Sequence, residues 1–198
     1  MTDDPESVLR RDPVMADLID RYELAPLEPV ENEFERLVVS IVNQQLSTAS
    51  AAAVRDRLFE LLGGDVRTET VLDATGEELR DVGLSRTKAE YVQNAARAFE
   101  REDFTRDGLA DHTTGEVVDA LTEIKGVGVW TARMYCIFVL QHQDVLPLGD
   151  LAVRRGFEAL YNDGVELSRN EMREIAEPWR PYRSRGTRYV WAAYEGDG

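Results

Sequence analysis

Helical periodicity is the feature that most restricts the fold of this chain. Apolar residues recur at intervals of three and four in EFERLVVSIV (residues 33–42), AAVRDRLFELL (52–62) and KAEYVQNAARAF (88–99), which is the spacing of one face of an α-helix. The apolar faces consist of Leu37, Val38, Ile41 and Val42, then Val54, Leu58, Leu61 and Leu62, then Ala89, Val92, Ala96 and Phe99. Almost nothing alternates in the manner of a half-buried strand. The pattern predicts amphipathic helices around a common core, and therefore an all-α fold.

Three further helix starts are marked by capping boxes. The Ser/Thr-x-x-Glu motif pairs Thr75 with Glu78, Thr113 with Glu116, and Ser168 with Glu171. In this motif the hydroxyl and the carboxylate each accept a hydrogen bond from the other residue's backbone amide, which satisfies two donors that the first turn leaves without partners. The motif therefore predicts where these three helices begin.

Length and cysteine content limit the architecture and the chemistry. A chain of 198 residues can form one sizeable core or two small subdomains that share a cleft. No stretch approaches the roughly 18 to 20 apolar residues that cross a bilayer, and the start of the chain does not have the pattern of a signal peptide. The single cysteine, Cys136, can form neither an internal disulfide nor a multi-cysteine metal site. We expect a cytoplasmic protein without membrane contact.

The charge balance is strongly acidic and poor in lysine. There are 38 acidic and 23 basic residues, the net charge is −15, and only Lys88 and Lys125 are lysine. Such a surface resembles that of proteins from halophilic organisms, whose molar cytosolic salt shortens the Debye length to about 3 Å. Net charge alone favours a protein with no nucleic-acid partner. Because strong screening would remove the repulsion between an acidic surface and DNA, net charge does not exclude a nucleic-acid partner. The sequence motifs therefore have to show whether there is one.

A glycine-containing turn between two helical segments is the first functional motif. The first helix has an apolar face of Val117, Val118, Leu121 and Ile124. We expect it to stop at residues 125–128, where two glycines free the backbone for a tight turn. The second helix is apolar nearly all round, which predicts burial. Such a helix-hairpin-helix motif, over about residues 116–140, can bind a DNA phosphate through amides and the positive end of the second helix. A plain helix connector would have the same short pattern.

An aspartate follows this motif by some twenty residues. Asp150 comes directly after Pro147-Leu148-Gly149 and before a helix predicted from Leu151, where a carboxylate could simply cap the helix. Together, LTEIKGVGVWTARM (121–134) and LPLGDLAVR (146–154) resemble the helix-hairpin-helix DNA glycosylase superfamily, whose catalytic aspartate lies at this distance from the hairpin. SIVNQQLS (40–47), ELRDVGLSRTKAEYV (78–92) and EPWRPYRSRGTRYVWAAY (177–194) are similar to segments of its alkylation-repair branch, the 3-methyladenine DNA glycosylase II group.

The resemblance implies a two-subdomain, all-α fold with the active site in the cleft between the subdomains. Residues 40–146 would form a central helical subdomain that contains the hairpin. Residues 1–39 and 147–198 would together form a second, discontinuous subdomain.

Two sequence features distinguish this chain from other branches of the superfamily. Bifunctional members carry a lysine near the start of the second hairpin helix that attacks the sugar and leads to strand cleavage, and the matching residue here is Trp130. Other members carry a four-cysteine iron–sulfur loop, which a single cysteine cannot build. The resemblance therefore implies a monofunctional glycosylase without AP lyase activity, without an iron–sulfur cluster and without a catalytic metal.

Candidate roles in base removal follow from the chemistry and the resemblance. Breaking an N-glycosidic bond develops positive charge on the deoxyribose, and a carboxylate beside the sugar stabilises it and can orient water. Asp150 is the candidate for this role. The resemblance places Trp130 and Trp191 in the base pocket, where aromatic faces attract a cationic alkylated purine. Each tryptophan would also suit ordinary core packing. Met134 replaces an aromatic ring that some relatives have.

The DNA contacts are assigned by resemblance as well. Flipping a nucleotide out of the duplex needs a residue that fills the gap in the stack. The candidates for this wedge are Gln44, Gln45, Leu46 and Ser47, and the candidates for contact with the backbone are Lys125, Gly126, Val127, Gly128 and Thr131. The main-chain carbonyls of Thr122, Ile124 and Val127 match a site for a monovalent cation, Na⁺ or K⁺.

The predicted function is therefore removal of alkylated bases, such as 3-methyladenine and 7-methylguanine, from double-stranded DNA by a monomer. Three alternatives stay open. The protein could remove uracil, deaminated or mismatched bases. It could be a non-catalytic DNA-binding module in which Asp150 only caps a helix, or an unrelated helical interaction protein.

Overall fold

The computed structural model describes residues 4–44 and 48–196, apart from the side chain of Thr48. Its α-helices in chain order are α1 (Pro5–Leu9), α2 (Pro13–Arg21), α3 (Glu33–Asn43), α4 (Thr48–Leu61), α5 (Thr68–Asp73), α6 (Gly76–Asp81), α7 (Arg86–Arg101), α8 (Thr114–Thr122), α9 (Val129–Phe138), α10 (Leu151–Tyr161), α11 (Arg169–Ile175) and α12 (Arg183–Gly196). A 3₁₀ turn spans Glu177–Trp179. Within those described ranges there is no strand, and the all-α prediction is confirmed.

All three predicted capping boxes are confirmed. Thr75, Thr113 and Ser168 are the N-caps of α6, α8 and α11, and each glutamate three residues later returns the hydrogen bond. Each of the three hydroxyls accepts the amide of its glutamate at 3.2 to 3.3 Å. Local sequence therefore fixes where these helices begin, as the motif requires.

The chain divides into two compact units. One consists of residues 1–28 and 141–198, and the other of residues 29–140. The sequence-based boundaries were placed instead at 39/40 and 146/147. The first of these would cut through α3 (33–43), whose apolar face belongs to the core of one unit along its whole length.

In the unit of residues 29–140, α3 is the central helix. It packs against α4, α7 and α9, and its residues Leu37, Val38, Ile41 and Val42 are fully buried. Burial of each such side chain stabilises the fold by about 1.5 to 3 kcal/mol. The ring of Phe99 lies 5.2 Å, between ring centroids, from those of both Phe34 and Phe104.

One residue of the predicted faces is misplaced. Leu61 is 37% exposed, so the prediction that it faces the core is wrong. It is the last residue of α4, whereas the next residue, Leu62, is buried as predicted.

In the other unit, α10 and α2 pack against α12. The core contains residues from both chain ends, including Leu9, Met15, Phe157, Trp179 and Tyr189. A polar network joins the same segments: Oδ2 of Asp12 accepts hydrogen bonds from Tyr161 Oη (2.7 Å) and Trp179 Nε1 (2.9 Å). The N-terminal helices α1 and α2 are therefore an integral part of this unit.

None of the described helices combines the length and the apolar character needed to cross a membrane.

Candidate functional site

The predicted hairpin lies between α8 and α9. The helix α8 ends at Thr122, so Ile124 lies in the turn. The prediction from periodicity that Ile124 belongs to the first helix is therefore wrong. The amide of Val127 donates to the Ile124 carbonyl at 2.9 Å and closes the turn. Gly126 has φ +112°, a conformation that side chains rarely adopt. The turn therefore requires glycine at this position.

The second glycine has a different role from the one predicted. Gly128 is the N-cap of α9 and has an extended backbone, φ −92° and ψ 169°. Because its N-cap residue is a glycine, α9 begins without a side-chain cap from that position. Its first two residues are exposed, Val129 to 50% and Trp130 to 42%. The prediction that this helix is buried all round is therefore wrong for its first turn, which is the end that can meet an anion.

The end of α3 is fastened to this hairpin. The side chain of Gln44 donates from Nε2 to the carbonyl of Gly126 at 3.1 Å and to Oγ1 of Thr131 at 3.4 Å. Gln44 therefore links the end of α3 to both sides of the turn. Gln45, Leu46 and Ser47, the other wedge candidates, lie outside the described residues.

Helix α7 supplies contacts that sequence reasoning missed. Lys88 donates from Nζ to the carbonyls of Val42 (2.8 Å) and Gln44 (2.5 Å). Partial burial lowers the pKa of its ammonium group. Asn94, two turns further along, donates to the Lys125 carbonyl at 3.4 Å. The only sequence signal for these contacts is the scarcity of lysine, since Lys88 is one of only two lysines in the chain.

An open cavity of about 840 Å³ lies over this assembly. Gln44, Lys88, Gly126, Trp130 and Thr131 contribute to its walls. The Thr131 side chain is buried, and its hydroxyl accepts a hydrogen bond from the side-chain amide of Gln44. This bond holds Gln44 in the wall of the cavity. The cavity thus combines the first residues of α9, an aromatic side chain and a lysine.

The remaining hairpin candidates divide into exposed and buried residues. Lys125 is exposed, whereas the side chains of Val127 and Met134 are 4% and 9% exposed. Met134 therefore packs mainly in the core of its unit. Val127 can offer an approaching ligand its main chain but hardly its side chain.

Asp150 lies in the other unit, as the N-cap of α10. Its Oδ1 accepts hydrogen bonds from the amide of Val153 at 3.0 Å and from Nε1 of Trp191 at 3.2 Å. The carboxylate is half-buried and is not sealed in the core. The capping role is thus real, and the same geometry fixes the rotation of the carboxyl group.

The carbonyls proposed to bind a cation lie at the end of α8 and in the turn. That of Ile124 already accepts the Val127 amide, which leaves its second lone pair for an ion. In the described part of the chain, no group of three or more His, Cys, Asp or Glu residues could hold a metal ion.

Comparison with known proteins identifies the family. The model of the HhH-GPD superfamily of base excision DNA repair proteins matches residues 38–181, which include the hairpin, Asp150 and the segment up to Pro181. The chain belongs to this superfamily.

Two solved structures are similar to this chain over nearly its whole length. A DNA-3-methyladenine glycosidase from Bacillus halodurans is 33% identical, with a TM-score of 0.87, over 98% of this chain and 90% of that one. The Schizosaccharomyces pombe 3-methyladenine DNA glycosylase in complex with abasic DNA is 25% identical, with a TM-score of 0.84, over 96% of each chain. The DNA-3-methyladenine glycosylase of Saccharomyces cerevisiae is 28% identical over 97% of this chain and 70% of its own length.

Proposed function

We propose that this HhH-GPD protein excises alkylated purines from double-stranded DNA, with Asp150 as its catalytic carboxylate. It is a monofunctional DNA glycosylase of base excision repair. The observation that carries the assignment of Asp150 is its half-buried carboxyl group, whose Oδ1 is fixed by the Val153 amide and the Trp191 indole. The relatives named above are 3-methyladenine glycosylases, which supports an alkylated base as the substrate.

The reaction breaks the bond between the purine nitrogen and C1′ of the deoxyribose. The electron pair leaves with the base, and positive charge develops on the sugar. An ionised carboxylate beside the sugar stabilises this charge and can orient the water that adds to C1′. Because two N–H donors hold Oδ1, the carboxyl group does not need to reorient during the reaction. The products are a free base and an abasic site.

An alkylated purine such as 3-methyladenine or 7-methylguanine carries a positive charge within the DNA and leaves easily. The site therefore needs an attractive surface for a cation more than a strong general acid. The Trp130 ring, 42% exposed at the cavity, provides a face worth about 0.5 to 2 kcal/mol to such a base. We assign Trp191 a smaller part in base contact, since its indole N–H is engaged with Asp150.

Binding of the duplex is assigned to the hairpin. The positive end of α9 and the main chain of Gly126, Val127 and Gly128 would meet a phosphate, while Lys125 adds a charge. Gln44 would lie at the edge of this contact and, with Gln45, Leu46 and Ser47, supply the wedge. Amide dipoles carry no net charge, so this contact releases few counterions and weakens little with salt.

A monovalent cation bound by the Thr122, Ile124 and Val127 carbonyls would strengthen the same contact. If it does, replacing potassium with N-methylglucamine at constant ionic strength weakens duplex binding. Equal affinity in the two salts rejects the ion site. We further propose that the protein acts as a monomer in the cytoplasm. A dimer mass in light scattering would refute the first of these statements.

The decisive experiment compares wild type with Asp150→Asn on methylated DNA in high potassium. Wild type is expected to release 3-methyladenine and 7-methylguanine without cutting the strand, and the variant to release almost none while binding the duplex normally. Equal release by both would remove Asp150 from the mechanism. Wild-type release of uracil or hypoxanthine alone would select the alternative substrate class. Binding without release of any base would select a DNA-binding module.

A further inference from the structure

Asp150 is carried by a segment that has no helix of its own. Residues 141–149, which we call the connector, lie between α9 and α10 and have no regular secondary structure. Such a segment is held in place by its contacts with other elements. The contacts of the connector therefore determine where the carboxylate of Asp150 lies.

Ser184, at the start of α12, makes three hydrogen bonds to the connector. Its Oγ accepts the amide of Val145 at 2.9 Å and donates to the carbonyl of His142 at 2.6 Å. Its amide donates to the carbonyl of Gln143 at 2.9 Å. Ser184 is 6% exposed and Val145 is 2% exposed, so water cannot readily replace these bonds.

A charged clamp reinforces the same end. Arg183, next to Ser184 in α12, binds both carboxylate oxygens of Asp144, at 2.5 and 3.0 Å. Arg180 donates to one of these oxygens at 2.7 Å. A bidentate arginine–carboxylate pair fixes orientation as well as distance. Residues 142–145 are therefore held by the first turn of α12 and the residues just before it.

The other end of the connector returns to the same helix. Leu148 is buried in the core of this unit, and Asp150 receives the indole N–H of Trp191. Ser184 and Trp191 are seven residues apart, about two turns and about 10 Å along one face of α12. One rigid helix thus holds both ends of the segment that presents the carboxylate.

We propose that Ser184 is a positioning residue that acts on Asp150 through the connector. This proposal rests on the catalytic role proposed for Asp150. A hydroxyl is needed because it accepts from Val145 and donates to His142 at once. Alanine would leave the buried Val145 amide without its acceptor. The connector would then relax, and the carboxylate would move from the position that Trp191 and Val153 share.

The test uses Ser184→Ala, Ser184→Thr and the control Thr187→Val. Thr187 lies on the same helix, is fully buried, and its hydroxyl has no hydrogen-bond partner in the described structure. The readouts are the single-turnover rate of 7-methylguanine release, the Kd for undamaged duplex, and the indole N–H signals of the three tryptophans in a ¹⁵N spectrum. The spectrum of Trp191→Phe identifies the Trp191 signal.

Ser184→Ala is expected to lower the rate about tenfold to a hundredfold, as misplacement of a catalytic group does, with an unchanged Kd and a shifted Trp191 signal. Ser184→Thr keeps the hydroxyl and should recover most of the rate, and Thr187→Val should match wild type. A folded Ser184→Ala protein with the wild-type rate or an unmoved Trp191 signal overturns the proposal.

A second variant guards against loss of folding. Asp144→Asn weakens the arginine clamp from a partly exposed position, and it is expected to shift the Trp191 signal in the same direction with a smaller loss of rate. An unmoved signal in this variant also counts against the proposal. If wild type releases no base, the proposed function fails, but the indole signals still report whether Ser184 positions Asp150.

Discussion

The ammonium group of Lys88 donates a hydrogen bond to the main-chain carbonyl of Gln44, 44 residues earlier in the chain. It binds the Val42 carbonyl as well. The last carbonyls of a helix have no partners within it, so Lys88 acts as a C-terminal cap of α3 that comes from α7. Since Gln44 in turn binds the hairpin at Gly126, one lysine supports both the end of α3 and the wall of the cavity.

Lys88→Met should therefore destabilise the protein. It removes the bonds to the carbonyls of the buried Val42 and the half-buried Gln44, and we expect a loss of about 1 to 3 kcal/mol in the free energy of unfolding. The matched control is Lys125→Met, which changes the only other lysine, an exposed one. The control should shift stability by no more than about 0.5 kcal/mol. Urea unfolding measures both, and equal effects would show that the contacts of Lys88 contribute nothing.

Asp150 combines a charge with a helix cap, and two variants separate them. Asparagine caps helices about as well as aspartate, so Asp150→Asn should keep the stability of wild type while base release is lost. Asp150→Ala should lose base release and also about 0.5 to 2 kcal/mol of stability. Thermal unfolding and single-turnover assays give the two quantities. Equal destabilisation by Asn and Ala would mean that the cap does not stabilise α10.

Trp130 should affect the chemistry of a cationic base more than the binding of undamaged DNA. Trp130→Leu removes the aromatic face, and the cation–π attraction of about 0.5 to 2 kcal/mol corresponds to a roughly 2- to 30-fold slower release of 7-methylguanine. Trp130→Phe keeps an aromatic face and should lose less. If undamaged duplex binds more weakly by the same factor, Trp130 contacts the DNA backbone and not the base.

Local features of the structure were predictable, and long-range contacts were not. The capping boxes at Thr75 and Thr113 depend on residues three positions apart, so the sequence displays them directly. The extent of α8 was predicted only approximately, because Ile124 is buried in a turn with the same spacing as the helical face.

The contacts of Lys88 and Ser184 leave no such pattern. Each joins segments about 40 residues apart or more, and the partners are main-chain groups, which every residue type except proline carries in the same form. The scarcity of lysine made Lys88 conspicuous in the sequence, but no pattern in the sequence pointed to Ser184. Residues that position a site through main-chain bonds are therefore the ones that sequence patterns miss.

Acid should weaken the folded state through the capping boxes. The hydroxyls of Thr75, Thr113 and Ser168 donate to Glu78, Glu116 and Glu171, and with the adjacent amides they lower the pKa of each carboxyl group below its ordinary value of 4.5. A carboxyl group with a lowered folded pKa stabilises the fold fully above the unfolded value. This stabilisation is lost as the pH falls below 4.5 and through the folded values.

Urea midpoints measured from neutral pH down through this window should therefore fall. The triple variant with glutamine at 78, 116 and 171 keeps a neutral capping box and should fall less steeply. A variant as acid-sensitive as wild type would place the acid response in other carboxylates, such as Glu6, whose pKa is lowered by hydrogen bonds from Tyr189 and Arg185.

The two hairpin glycines should differ in their sensitivity to alanine. A Cβ on Gly126 would overlap the ring of Tyr91, and its φ of +112° is strained for alanine, so Gly126→Ala should cost about 1 to 3 kcal/mol. Gly128 has a negative φ and nothing within 4 Å of an added Cβ, so Gly128→Ala should cost no more than about 1 kcal/mol, the difference between glycine and alanine as an N-cap. Adding Tyr91→Ala to Gly126→Ala separates the two causes. If the overlap dominates, the double variant is no less stable than Tyr91→Ala alone. If the backbone dominates, the full cost of Gly126→Ala persists. Thermal unfolding of the four variants decides, and a stable Gly126→Ala protein would show that the turn adopts another conformation in solution.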